Sequence, residues 1–173
     1  MPYTVVDLFS GAGGFSRGFD GAGFEVRLGI DIDFSCGKTY KFNFPKAVVL
    51  VEDVRDVSGD DIRYLAEGRP DIVIGSPPCE PFTSANPKRE RDPLDRLYKD
   101  PMGKLTLEFI RLVSELKPRI FIMENVPALN TPGLNEALVE EFEYAGYSRV
   151  YFNILRAEDY PATESGFSYP MSP

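Results

Sequence analysis

The sequence predicts a doubly wound α/β fold, a mostly parallel sheet with helices on both faces. Three observations lead there. Apolar runs of strand length alternate with stretches of helical character. The runs are apolar at nearly every position rather than at every second one, as expected of strands covered on both sides. Carboxylates and a thiol collect where these runs end, at the edge where open α/β sheets hold their ligands.

The first run, Thr4–Phe9, is TVVDLF, rich in the β-branched residues that suit a pleated, buried surface. Gly14–Gly21 follows as a short helix behind a glycine turn. Val26–Ile30 is the second strand, and Cys36–Asn43 the second helix, with Asp33 placed to cap it. Ala47–Val51 is the third strand, Ile62–Glu67 a helix, and Asp71–Ile74 the fourth strand. Lys104–Leu116 reads as an amphipathic helix, because Leu105, Phe109, Leu112, Val113 and Leu116 fall on one stripe. Arg119–Met123 is a fifth strand, Leu134–Tyr144 another helix, and Val150–Leu155 a sixth strand. Pro77 to Met102 is the longest irregular stretch, too long for a passive connection and so a functional loop.

Composition narrows the chemistry. A chain of 173 residues that is 43% hydrophobic can build one domain with a sizeable core. There is no histidine and there are two cysteines, Cys36 and Cys79, too few for the usual zinc or iron–sulfur sites, and histidine acid–base catalysis is excluded. No metal is expected. No run approaches the ~18 apolar residues of a membrane span, and Met1 to Ser10 lacks the pattern of a secretion signal, so the expected compartment is the cytoplasm. The net charge of −8 argues against a free-standing nucleic-acid binder, and the basic cluster Lys88–Arg91 is short and followed by Asp92.

DLFSGAGGF, Asp7 to Phe15, is a strand entering a glycine-rich turn and a helix, an arrangement that lets backbone approach a ligand and offers N–H groups to an anion. It is not the dinucleotide fingerprint, since Ser16 stands at the third glycine position. Asp31 ends the second strand about 20 residues past the glycines, where a carboxylate can accept from ribose hydroxyls. Asp53 ends the third and could accept from an adenine amine; Asp33 competes with Asp31, but capping suits it better.

GSPPCEPFT carries Cys79 behind Ser-Pro-Pro at a strand's carboxyl end, where prolines stop the ladder and fix the direction of the next side chain. Core cysteines sit within strands; an aimed thiol is what a nucleophile requires. FIMENVPAL ends the fifth strand with Glu124, whose apolar surroundings should raise its pKa.

In these motifs, together with GIDID and VEDVRD, the chain resembles the cytosine-5 DNA methyltransferases over about Val5 to Tyr160. The resemblance implies a Rossmann-like fold, S-adenosyl-L-methionine as cofactor with S-adenosyl-L-homocysteine as product, and methyl transfer to C5 of a flipped cytosine in DNA. It makes Cys79 the nucleophile at C6 and Glu124 the group on the N3 and amino edge. It implies a cofactor site of Asp7, Phe9, Gly11, Gly13, Gly14, Asp31, Ile32, Asp53, Val54 and Pro77, and substrate contacts from Pro78, Ser84, Asn125 and Val126. It divides the chain into a catalytic domain, residues 1–160, and a divergent tail, 161–173.

The sequence departs from the family pattern in three places. Glu80 stands where a glutamine is usual, and Met102 where an arginine is expected. After ILRAEDY the usual arginine-bearing segment, a further strand and the target-recognition domain have no counterpart. The sheet edge is therefore expected to fray or rearrange, and transfer by this chain alone to be weak or absent. The competing expectations are a tRNA cytosine-5 methyltransferase, an inactive fragment, and one half of a split enzyme whose partner polypeptide supplies target recognition.

Overall fold

The computed structural model describes residues 2–159. Its sheet has five strands, all parallel, in the order β3-β2-β1-β4-β5: β1 (Thr4–Leu8), β2 (Glu25–Asp31), β3 (Val48–Val51), β4 (Ile72–Gly75) and β5 (Ile120–Met123). The chain starts in the middle, winds outward to β3, then returns to place β4 on the other side of β1. That reversal opens a crevice above β1 and β4, the usual ligand position in such sheets.

Among the described residues six α-helices cover the faces: α1 (Gly14–Gly21), α2 (Phe34–Asn43), α3 (Gly59–Leu65), α4 (Pro93–Tyr98), α5 (Lys104–Leu116) and α6 (Leu134–Tyr144). Period-two alternation of the strands splits the core. Val6, Leu8, Leu28, Ile30 and Val73 pack with Phe109, Leu112 and Leu116 of α5 and Leu138 and Phe142 of α6. Val5, Ile72 and Ile74 face the other way, onto Tyr40 and Phe44, with Phe15 and Phe19 at the margin, and Val26 joins them because the pairing of β2 with β1 slips by one residue between Val26 and Leu28. Both sides of every central strand are thus buried, which is why these runs are apolar at most positions.

One close approach fixes the seat of α2. Tyr40 is fully buried, and a Cβ on Gly29 would stand 2.4 Å from its ring, so only glycine in β2 admits the tyrosine there.

Two expectations fail. Val150–Leu155 forms no strand; Val150 and Phe152 pack against the core while Tyr151, Ile154 and Leu155 are exposed. Alternation persists only from Val150 to Phe152 and is lost at Ile154; a strand needs a ladder partner, and β5 is the outermost strand among the described residues. Its side chains Ile120 and Ile122 are 54% and 39% exposed. The loop from Pro77 to Met102 is not wholly irregular, since it contains α4, capped by Asp92, whose side chain accepts from Leu94 N at 2.9 Å. The tail, 161–173, lies outside the described residues.

Candidate active site

The turn after β1 is built around unusual backbone. Phe9 has φ 59°, a left-handed conformation rare for an aromatic residue, followed by Gly11 at φ 52° and Gly13 at φ 95°. Ser10 N donates to Ile30 O and Gly13 N to Ser10 O, both 2.9 Å, so the turn is folded against the end of β2. Gly11 N donates to Asp31 Oδ2 at 2.7 Å and Asp33 N to Asp31 Oδ1 at 2.9 Å. The Asp31 carboxylate is therefore oriented by two backbone donors while its remaining lone pairs stay available. Asp33 has the capping role, accepting from Ser35 N and Cys36 N.

Asp53 opens the 3-10 turn Val54–Asp56 and is gripped by Arg55, whose Nε lies 2.9 Å from Oδ1 and whose Nη2 lies 2.5 Å from Oδ2. These hydrogen bonds hold the Asp53 carboxyl below the usual carboxylate range, keeping it an ionised acceptor.

Beyond β4, residues 76–79 have no regular structure and lead into a turn: the Cys79 carbonyl accepts from Phe82 N at 2.9 Å and Thr83 N at 3.1 Å. Phe82 is fully buried and anchors the loop. Arg89 donates to Phe82 O, and Arg96 to the carbonyls of Glu90 and Arg91, so part of the basic cluster's charge is engaged in holding its own loop. At the end of β5, Glu124 N donates to Gly75 O at 3.0 Å, and Asn125 Nδ2 donates to Pro77 O at 2.9 Å. Asn125 thereby ties the segment carrying Glu124 to the one carrying Cys79.

One cleft of about 460 Å³ gathers these ends. Of the residues named from the sequence, Phe9, Asp31, Ile32, Asp53, Val54, Pro77, Pro78, Cys79, Glu124, Asn125 and Val126 line it. Glu52, Arg55, Ser76, Glu80, Met102 and Leu105 line it too. Cys79 is half-buried. Five lining side chains are acidic (Asp31, Glu52, Asp53, Glu80, Glu124) and one, Arg55, is basic. Such a cleft attracts a cation and repels a pyrophosphate.

Some expected residues lie elsewhere. Asp7 is 1% exposed and sits below the glycine turn, where Ser16 Oγ donates to Asp7 Oδ2 at 2.6 Å and lies 2.7 Å from Tyr40 Oη. The pleat turns it away from the cleft, toward α1, and burial pushes its pKa up to about 7. Gly11, Gly13 and Gly14 shape the turn without lining the cleft, and Ser84 lies exposed on the loop. Glu124 is exposed, not enclosed by apolar neighbours, because the cleft is open above it. Of the residues not anticipated, Arg55 was detectable as a cation two positions after Asp53. Leu105 belongs to the helical stripe but sits at its open end.

A family model for C-5 cytosine-specific DNA methylases matches residues 3–163. The chain belongs to this family. As a family member it is 41% identical to the type II methyltransferase M1.HphI of Haemophilus parahaemolyticus, covering 92% of this chain and 42% of that protein. It is 36% identical to M.MjaORF1200P of Methanocaldococcus jannaschii, assigned as a type II methyltransferase, over 90% of this chain and 56% of that one. Among solved structures, an Escherichia coli prophage protein assigned as a DNA modification methyltransferase superposes with TM-score 0.67 and 32% identity, over 82% of this chain and 38% of that one. The methylase chain described here spans about half the length of the curated relatives it matches, 42% of M1.HphI and 56% of M.MjaORF1200P.

Among the described residues no helix is long and apolar enough to cross a membrane, and no cluster of His, Cys, Asp and Glu could hold a metal ion.

Proposed function

We propose that the chain carries the catalytic half of a DNA (cytosine-5-)-methyltransferase of the restriction-modification type, using S-adenosyl-L-methionine. The observation that supports this most is the shared cleft: Cys79 and Glu124 open onto the same space as Phe9, Asp31 and Asp53. The acidic lining also favours S-adenosylmethionine, with its positive sulfonium, over an anionic nicotinamide dinucleotide.

Asp31 would accept from the ribose hydroxyls and Asp53 from the adenine amine, with Phe9 and Val54 flanking the ring. The cofactor supplies an electrophilic methyl group. Cys79 Sγ, as thiolate, adds to C6 of a flipped cytosine while the Glu124 carboxyl gives its proton to N3. That turns C5 into a carbon nucleophile able to take the methyl. Loss of the C5 proton to solvent then re-forms the double bond and expels the Cys79 thiolate, and N3 returns its proton to Glu124. Since Glu124 is exposed in the open cleft, the bound base itself must cover that carboxyl and exclude water from it. Extracting the base costs a few kcal/mol and needs contacts to both strands.

Those contacts favour a further reading. With a net charge of −8 and an acidic cleft, these residues offer little to a polyanion, so target recognition is assigned to polypeptide beyond them, and a partner chain is one source of it. The open edge of β5, with Ile120 and Ile122 exposed, is the place for its pairing strand. Co-purification with a basic partner that shields these residues tests this.

The direct test is transfer of labelled methyl to duplex DNA, with tRNA as competing acceptor and Cys79→Ser as control. Transfer that depends on Cys79 and prefers DNA is expected. Undiminished transfer by Cys79→Ser would refute the nucleophile, and transfer to tRNA alone would refute the DNA assignment.

A further inference from the structure

Arg111 lies on α5 outside the cleft, and every one of its nitrogens is engaged. Nε donates to Glu108 Oε2 at 2.6 Å and Nη1 to Glu115 Oε1 at 2.8 Å. Nη2 donates to the carbonyls of Val54 and Val57, each at 3.0 Å. Those two carbonyls bracket the 3-10 turn that begins at Asp53. The same network continues into α3: Glu115 Oε2 accepts from Gly59 N at 2.6 Å, and Arg63 Nη1 donates to Glu115 O at 2.9 Å. The connection from β3 to α3 is thereby pinned to α5 by side chains that do not line the cleft.

We propose that Arg111, held by Glu108 and Glu115, is a positioning residue that sets Asp53 and Val54 at the adenine end of the cleft. The proposal rests on the S-adenosylmethionine reading above. Its physical basis is that a planar guanidinium can bridge two carboxylates and two carbonyls at once, which a single ammonium cannot. Without it the Val54 carbonyl keeps only a 3.3 Å contact from Val57 N, and the turn is free to shift.

A second consequence follows from charge. Glu108 also acts on Arg55, the residue that orients Asp53. Removing Arg111 leaves Glu108 without the cation that Nε places 2.6 Å from it. Since the pairs are partly exposed, they add little to overall stability, and their effect should appear in ligand geometry first.

The test compares two ligands by calorimetry: S-adenosylhomocysteine, and S-inosylhomocysteine, in which a carbonyl replaces the adenine amine. The wild type should prefer the first by about ten-fold or more, the value of a hydrogen bond to a charged acceptor. Arg111→Ala should bring that ratio to within about three-fold, and Arg111→Lys should restore part of it. If Arg111→Ala does not fold, the ratio measured on Arg111→Lys decides, a fall supporting the proposal and an unchanged ratio overturning it. Loss of affinity for both ligands with the ratio intact would mean a purely structural role and overturns the proposal alone. A wild type that binds neither ligand overturns the cofactor reading and this one together.

Discussion

Replacing Asp7 by asparagine should make the protein more stable at neutral pH and leave it nearly unchanged in acid. Asp7 is buried beneath the glycine turn, and its pKa is raised from 3.8 to about 7, chiefly by desolvation, against which the Ser16 hydrogen bonds work. The sign follows from proton counting. Above pH 3.8 the unfolded chain releases a proton that the native state keeps, so stability falls by about 1.4 kcal/mol per pH unit until the native carboxyl ionises near 7. Carried across that interval, the loss approaches about 4 kcal/mol. Asparagine can still accept from Ser16 Oγ but carries no charge to desolvate. Urea denaturation of both proteins from about pH 4 to pH 8 measures the difference, in which other titrating groups cancel. The expected gap opens with rising pH and levels off above pH 7. A gap that is constant across the range, or that closes as pH rises, would refute the burial of an ionisable Asp7.

The pair Asp31 and Asp33 should separate by assay. Asp31→Ala should weaken S-adenosylmethionine binding by about ten-fold or more, since it removes charged acceptors and frees the glycine turn, whereas Asp33→Ala should cost about 1 kcal/mol of stability with a smaller effect on affinity. Calorimetry beside thermal melting distinguishes them, and equal losses of affinity would contradict the capping role. Gly29→Ala should drive a Cβ into the Tyr40 ring and cost about 1–3 kcal/mol, lowering the melting temperature by several degrees. An unchanged melt would show that the ring can withdraw.

Much of this architecture was legible because each strand carries its own signal. The Val, Ile and Leu residues of β1, β2 and β4 are buried on both faces of the sheet, so their pattern survives without knowledge of their partners. Parallel winding brings their carboxyl ends to one edge, and Asp31, Asp53, Cys79 and Glu124 meet there for that reason alone. Strand-end counting could not say which way a side chain faces, and so Asp7 was assigned to the cleft when the pleat turns it toward α1. Val150–Leu155 has strand composition, but a strand exists only when another lies beside it. The short helix α4 was readable, since Asp92-Pro93 is a cap followed by proline in the first turn. Arg111 was not, because its carbonyl partners lie more than fifty residues away and carbonyls have no residue signature.

The central claim concerns a covalent bond, and trapping that bond is its most direct measurement. Duplex DNA carrying 5-fluorocytosine at the target position has no C5 proton to lose, so the adduct cannot resolve after methyl transfer. Mass spectrometry of the protein incubated with that DNA and S-adenosylmethionine, with any partner it requires, should find the modified nucleotide on the peptide containing Cys79, and none with Cys79→Ser. Methyl transfer to cytosine with no adduct at Cys79, or an adduct on another residue, would contradict the account.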